Sequence, residues 1–155
     1  MNRPELKLES PAPNELNKLN ALIIRSKAFW GYDRAFMQSC EAELKITEDL
    51  LAQNQIVTVT HAGTTVGVAE ISTEADTAYL EKLFVDPDHM KLGAGRILFA
   101  WAKDTARRMD ARKMIIESDP GAEAFYQKMG AKRVGQVPSG SVPGRLLPEL
   151  EVSLV

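Results

Sequence analysis

Gly93 and Gly95 open an amphipathic stretch directly after the apolar run Leu80-Glu81-Lys82-Leu83-Phe84-Val85, and Tyr126 follows a second short run, Met114-Ile115-Ile116-Glu117. A glycine pair where a strand hands over to a helix is suited to hold an anion. Its bare backbone lets phosphate oxygens approach, and the first helical turn offers unpaired N–H donors at the positive end of its dipole. Tyr126 can donate a proton, the ordinary phenol pKa being about 10. Glu81, on the strand leading to the glycines, or Glu70, on the neighbouring strand, can accept one. Each residue also has a plainer reading: the glycines as a tight turn, the tyrosine as a core aromatic, Glu81 as a solvated strand residue. His61 and His89 fall in turn and loop positions with no partner at ligand spacing, and Cys40 is the single cysteine. No metal site is therefore expected, and no disulfide can form within the chain.

The unit that positions these groups reads strand, helix, strand. Ala78–Val85 has strand character, Leu92–Met109 carries Leu92, Leu98, Trp101, Ala102, Thr105 and Met109 near one helical stripe, and Lys113–Glu117 is a second strand. Such a crossover makes its two strands parallel. In open α/β arrangements the ligand crevice lies beyond the carboxyl ends of the strands, which sets the 86–96 loop beside the 118–126 segment. Ala122–Met129 reads as a closing helix stopped by Gly130. Ahead of this unit come a short strand at Lys7–Glu9 and a helix capped by Asn14, with Leu16, Leu19, Leu22, Ile23 and Ala28 on one face. Trp30-Gly31-Tyr32-Asp33 interrupts that helix. A second helix spans Arg34–Leu44, Thr47-Glu48-Asp49 resembles another helix start, and Ile56–Thr60 and Val66–Ile71 form a hairpin through His61-Ala62-Gly63. After the unit, Lys132–Val134 and Leu150–Leu154 are closing strands on either side of a long loop, Gln136–Pro148, rich in Gly, Pro and Ser. Lys103, Arg107, Arg108, Arg112 and Lys113 read as a solvated basic face, with Asp104 set four residues before Arg108.

Two segments, taken together, carry a family resemblance. Met90-Lys91-Leu92-Gly93-Ala94-Gly95 follows Leu-Phe-Val-Asp-Pro, and Asp119-Pro120-Gly121-Ala122-Glu123-Ala124-Phe125-Tyr126-Gln127-Lys128-Met129-Gly130-Ala131 follows the next strand. The pair resembles the Arg/Gln-x-x-Gly-x-Gly/Ala loop and the Asn-x-x-Ala-x-x-x-Tyr-x-x-x-Gly-Phe segment of the GNAT superfamily of acetyl-CoA-dependent N-acetyltransferases. The resemblance implies an α+β fold with a GNAT-like mixed, mostly antiparallel central sheet flanked by helices. Its fourth and fifth strands would be parallel and splayed, admitting the pantetheine arm. It also implies acetyl-CoA as co-substrate, held by Leu83, Phe84 and Val85, by Met90, Lys91, Leu92, Gly93, Ala94, Gly95 and Arg96, and by Asp119, Ala122 and Tyr126. Met90 departs from the usual Arg or Gln, which leaves most of the grip on pyrophosphate to backbone N–H groups and to Lys91 and Arg96. Asp119 replaces Asn and, when ionised, can only accept hydrogen bonds. Ala131 replaces Phe.

The chemistry so implied is direct acetyl transfer within a ternary complex. A tetrahedral oxyanion wants fixed N–H donors, which the family takes from a bulged part of the fourth strand, here Leu83 to Val85. A departing alkyl thiolate, whose thiol has a pKa near ~8.5, is helped by a proton from Tyr126. Glu81 is the first choice of base and Glu70 the second. In the resembling fold the loop after the first helix walls the acceptor pocket, so Trp30, Tyr32 and Phe36 are candidate substrate contacts. Arg145, in the glycine- and serine-rich loop, could bind a carboxylate or phosphate of the acceptor. A small-molecule primary amine is expected rather than a protein, because no acidic groove for a basic tail is evident. A function of another class, an acyl-CoA-binding regulatory module without turnover, stays open on the strength of Met90 and Asp119. A phosphotransferase does not, for want of the P-loop Lys-Ser/Thr pair.

Composition bounds these readings. At 155 residues the chain is expected to form one domain over 1–155, and a formal charge of −2 gives no reason to expect nucleic acid or an anionic membrane as partner. The charged stretch Met1–Ser10 lacks the apolar centre of a signal peptide, and no run approaches the ~20 apolar residues of a membrane span. A reduced, cytoplasmic setting is expected. The C-terminal strand could pair with a second subunit at a sheet edge, leaving a homodimer open.

Overall fold

The computed structural model describes residues 5–155; Met1–Pro4, the start of the charged N-terminal stretch, lie outside the described residues. Strand β1 (Leu6–Glu9) precedes helices α1 (Leu16–Ala28), α2 (Arg34–Leu44) and α3 (Glu48–Gln53). Strands β2 (Gln55–His61), β3 (Thr64–Glu74) and β4 (Thr77–Val85) form a meander, followed by α4 (Ala94–Arg108), β5 (Lys113–Glu117), α5 (Glu123–Lys128), β6 (Lys132–Pro138) and β7 (Leu146–Ser153). They build one seven-stranded sheet in the order β1-β2-β3-β4-β5-β7-β6. Every pairing is antiparallel except β4 with β5. This is the mixed, mostly antiparallel sheet that the resemblance implied.

Local chemistry explains most boundaries. Asp33 caps α2 by accepting the Phe36 N–H at 2.8 Å, and Thr47 caps α3 through Leu50 N–H at 3.2 Å. Asn14 does not cap α1. Residues Pro13–Glu15 form a tight turn ahead of that helix, and the Glu15 carboxylate reaches back to the Ala12 N–H at 2.8 Å. Ala62 and Gly63 both take left-handed φ, 51° and 83°, as a two-residue hairpin turn between twisted strands demands. Asp104 pairs with Arg107 at 3.2 Å rather than with Arg108, whose guanidinium donates to Thr105 Oγ1.

The helices cover the two faces of the sheet. Leu16, Leu19, Leu22 and Ile23 of α1 pack on Ile56, Val68 and Phe84, whereas Ala94 and Leu98 of α4 pack on Val57, Val59 and Ala69. Successive strand residues point to opposite faces, so α1 and α4 lie on opposite sides. Phe99, Ala102 and Ala106 of α4 join Tyr126 of α5 over Leu80, Met114, Ile116, Leu150 and Val152. Each large apolar side chain buried this way contributes about 1.5–3 kcal/mol.

Two expectations for the C-terminal region are corrected. The loop shrinks to residues 139–145, because β6 continues through Pro138 and β7 begins at Leu146, across Pro148. Proline and glycine hid the strands: Pro148 lacks the N–H of a ladder donor, and its carbonyl instead accepts Ser118 N–H at 2.9 Å. Nor is β7 a free edge, since it pairs with β5 on one side and β6 on the other. No helix among the described residues is long and apolar enough to cross a membrane.

Candidate active site

The parallel β4/β5 pairing is short. Thr77, Ala78 and Tyr79 face Lys113, Met114 and Ile115, and no pairing continues beyond Tyr79. From Leu80 onward β4 and β5 part, and a cavity of about 480 Å³ fills the wedge. Antiparallel ladders alternate, so the pairing of Asp86 N–H with Val66 O at 2.8 Å fixes which β4 donors face β3: those of Asp86, Phe84 and Lys82. The N–H groups of Leu83 and Val85 therefore point into the wedge. The irregularity in β4 lies earlier than the expected Leu83–Val85, because Lys82 opposes Glu70 and Leu80 opposes Ile71, which leaves Glu81 as the extra residue.

At the mouth of the wedge, Asp86 holds the start of the loop. Burial works against its ionised form, but the Asp88 N–H and the Arg25 guanidinium at 2.9 Å outweigh this and keep its carboxyl below the usual range. Gly93 adopts φ 85° at the helix entrance, and no side chain caps the first N–H groups of α4. A Cβ on Gly95 would come within 3.3 Å of Phe125 Cζ, so a larger residue here would push that ring aside by a few tenths of an ångström. Met90, Gly93, Gly95 and Arg96 line the cavity, and Met90 is 46% exposed. Lys91, Leu92 and Ala94 stand outside its wall, Ala94 being fully buried.

Tyr126 lines the same cavity from α5, where it packs on Phe99 and Phe125. It is only 7% exposed, and its hydroxyl has no hydrogen-bond partner among the described residues. Burial, with the charge of Asp119, raises its pKa well above the usual phenol value, so it stays protonated at neutral pH.

Of the two carboxylates considered as base, only Glu81 lines the cavity. Its Oε1 accepts Ser72 Oγ at 2.7 Å. Glu70 is 1% exposed and fully engaged, with Oε1 on Lys82 Nζ at 2.7 Å and Oε2 on Asn54 Nδ2 at 2.8 Å. A carboxylate so paired and buried is a structural counter-charge, and it does not line the wedge. Two glutamates that the sequence reading passed over, Glu43 of α2 and Glu117 of β5, also line the cavity. Burial, then the charges of Glu81, Glu149 and Glu43, push the Glu117 carboxyl above its usual range. The expectation that no acidic groove is evident, which was the reason for preferring a small-molecule acceptor, is thereby corrected.

Asp119 is the centre of a polar network. Its Oδ2 accepts Lys27 Nζ at 2.6 Å and Tyr32 Oη at 2.7 Å, with Arg145 at 3.4 Å, while Oδ1 takes the Gly121 N–H at 2.9 Å. Burial opposes its charge, but the Lys27, Tyr32 and Gly121 hydrogen bonds prevail and lower its pKa. Tyr32 moves the other way, to about 12, through burial and the Asp119 charge. Arg145 donates to Tyr32 Oη at 2.7 Å and lies over the stacked rings of Tyr32 and Phe36. Arg145 and Lys27 line the cavity, whereas Tyr32 and Phe36 stand behind it as supports. Trp30 and Ala122 do reach the wall, and the indole sits so close over Gly121 that a Cβ there would meet it at 2.9 Å. Lys27 carried no signal in sequence; only the fold brings it to Asp119.

The sequence model of the acetyltransferase (GNAT) domain matches residues 17–139. The chain belongs to this acetyltransferase family. The GNAT fold is equally plain in solved structures. The PaiA N-acetyltransferase of Thermoplasma acidophilum, in complex with coenzyme A, superimposes with a TM-score of 0.79 at 17% identity, over 96% of this chain and 99% of that one. A GCN5-related N-acetyltransferase of Rhodopseudomonas palustris gives 0.77 at 19%, over 99% and 97%. The ribosomal-protein-S18-alanine N-acetyltransferase of Escherichia coli gives 0.70 at 18%, over 97% and 94%. No curated protein matches the sequence. As a GNAT member the chain is an acyltransferase.

Proposed function

We propose that the chain works as one N-acetyltransferase domain that moves an acetyl group from acetyl-CoA to the primary amine of a small molecule. The carrying observation is the unpartnered, protonated Tyr126 hydroxyl in a cavity that also exposes free backbone donors and the uncapped start of α4. Gly93, Gly95 and the first-turn N–H groups, with Arg96, would hold the diphosphate. Val85 and Leu83 N–H groups would bind the pantetheine amides and the thioester carbonyl, where negative charge develops. Met90 adds no charge to this grip, so the backbone and Arg96 carry it.

An acceptor arrives as an ammonium ion and must lose a proton before attack. Glu81, at the bulge, takes it directly or through water. The nitrogen loses a second proton as its bond to the acetyl carbon forms and the carbon–sulfur bond breaks. Tyr126 protonates the departing sulfur and regains its proton from that nitrogen or from water, leaving one proton in solution overall. The hydroxyl of Tyr126, free of protein partners, also favours turnover over a purely regulatory acyl-CoA module.

Thiol release from acetyl-CoA with a panel of primary amines tests this reading. Tyr126→Phe is expected to bind coenzyme A as the wild type does and to lower kcat by about a hundredfold or more. Absence of any calorimetric heat from coenzyme A with folded protein overturns it.

A further inference from the structure

The acceptor side of the cavity carries more negative charge than its walls neutralise. Leu80 and Ile116 pack toward α4 and α5, so Glu117, next to Ile116, faces the opposite side of the sheet. The bulge turns Glu81 to that side too, beside Lys82, which donates to Glu70, itself also an acceptor from Asn54 there. Glu43 approaches from α2 and lies over Gly140, where an added Cβ would come within 3.2 Å of its Oε1. Glu149 stands directly opposite Glu117 in the β5/β7 ladder, an arrangement that like charges disfavour.

The neighbouring cations offset this only in part: Lys82, Lys27 and Arg145 face the two carboxylates Glu70 and Asp119, which leaves one positive charge against Glu43, Glu81 and Glu117. Lys82 is bound to Glu70 at 2.7 Å, and Lys27 and Arg145 share Asp119 at 2.6 and 3.4 Å. Arg96 belongs to α4, on the other face. A second observation marks the cavity as one where a reactant comes to rest: the Tyr126 side chain, nine-tenths buried and without a hydrogen-bond partner among the described residues, lines it from the α5 side. The carboxylates are not arranged for a metal, since no group of three or more His, Cys, Asp or Glu among the described residues could hold one.

Resting on the acetyl-transfer reading, we infer that the acceptor is a dication: a small amine with a second positive group besides the nitrogen that is acetylated. Glu43 and Glu117 hold the distal charge, and Glu81 receives the reacting ammonium. A monocation leaves part of the repulsion unrelieved, and an amino acid brings a carboxylate into an already anionic site.

Cadaverine, pentylamine and 5-aminopentanoate share a chain length and differ in the terminal group. With the wild type, kcat/KM is expected to favour the diamine over the monoamine by about tenfold or more, with the amino acid last, and the gap to narrow as salt is added. Glu43→Gln and Glu117→Gln are each expected to bring the diamine down toward the monoamine. Equal kcat/KM for diamine and monoamine, or a gap that both variants leave intact, overturns the inference while acetyl transfer itself stands. Should none of the three turn over, calorimetry of the same compounds on the protein–coenzyme A complex decides. Binding of the diamine alone supports the inference, and no preference for it overturns it. Failure to bind coenzyme A sinks the underlying reading as well.

Discussion

Glu117 sits where its charge is resisted by its own neighbours. Its folded-state pKa lies above the ordinary value of 4.5, because burial and then Glu81, Glu149 and Glu43 disfavour ionisation. An acid shifted upward on folding costs stability at every pH where the unfolded group is charged, and the cost vanishes as the pH falls below its unfolded value. Glu117→Gln is therefore expected to raise the melting temperature of the free enzyme at neutral pH, with the advantage fading in acid below about 4.5. Thermal melts across pH check this; a variant melting below the wild type at neutral pH contradicts the repulsion. Tyr126 and the two glycines could be singled out in sequence because short motifs name them, and Glu81 only because it lies on the strand leading to the glycines. Glu43, Glu117 and Lys27 were not, since each depends on which elements the fold brings together. Glu117 alone had a readable hint, as the last residue of a strand whose alternate positions are apolar.

Strand β4 was read correctly in extent and direction, but its one extra residue was misplaced. Periodicity shows that a strand alternates; it does not show where the alternation slips, which requires the partner register of β3. That slip sets Glu81 beside Lys82 on one face, and it lets Lys82 reach Glu70 as a buried pair, 7% and 1% exposed. Glu70 looked like a candidate base for the reason that makes it a poor one: a charged residue inside an apolar strand is there to meet another. Glu70→Gln leaves the Lys82 ammonium buried without a counter-charge, and urea denaturation is expected to show a loss of about 3 kcal/mol. Replacing both, Glu70→Leu with Lys82→Met, is expected to cost much less. A single variant as stable as the wild type would show the pair to be inert. The β6 and β7 ends escaped notice because Pro138 and Pro148 mimic a loop, although both strands complete their ladder around them.

Across the molecule, the sheet consists of two antiparallel sets, β1 to β4 and β5 to β7, joined along three residue positions on each side, with Arg112 N–H adding a bond of 2.7 Å to Asp76 O. A ligand that lies in the wedge and takes the free N–H groups of β4 touches both sets. Coenzyme A at a hundredfold excess over Kd is expected to add about 2.7 kcal/mol, which for a chain of this size raises Tm by about 5–10 °C. Hydrogen exchange should slow at Leu83 and Val85 and also across β5. Protection confined to the α4 entrance would place the coenzyme outside the wedge. With so narrow a join, stiffness is expected to be a property of the occupied protein, arriving with the thioester and leaving with the spent thiol. Between turnovers the protein is at its most pliable, and a protease that finds it starved of coenzyme should cut first near this seam.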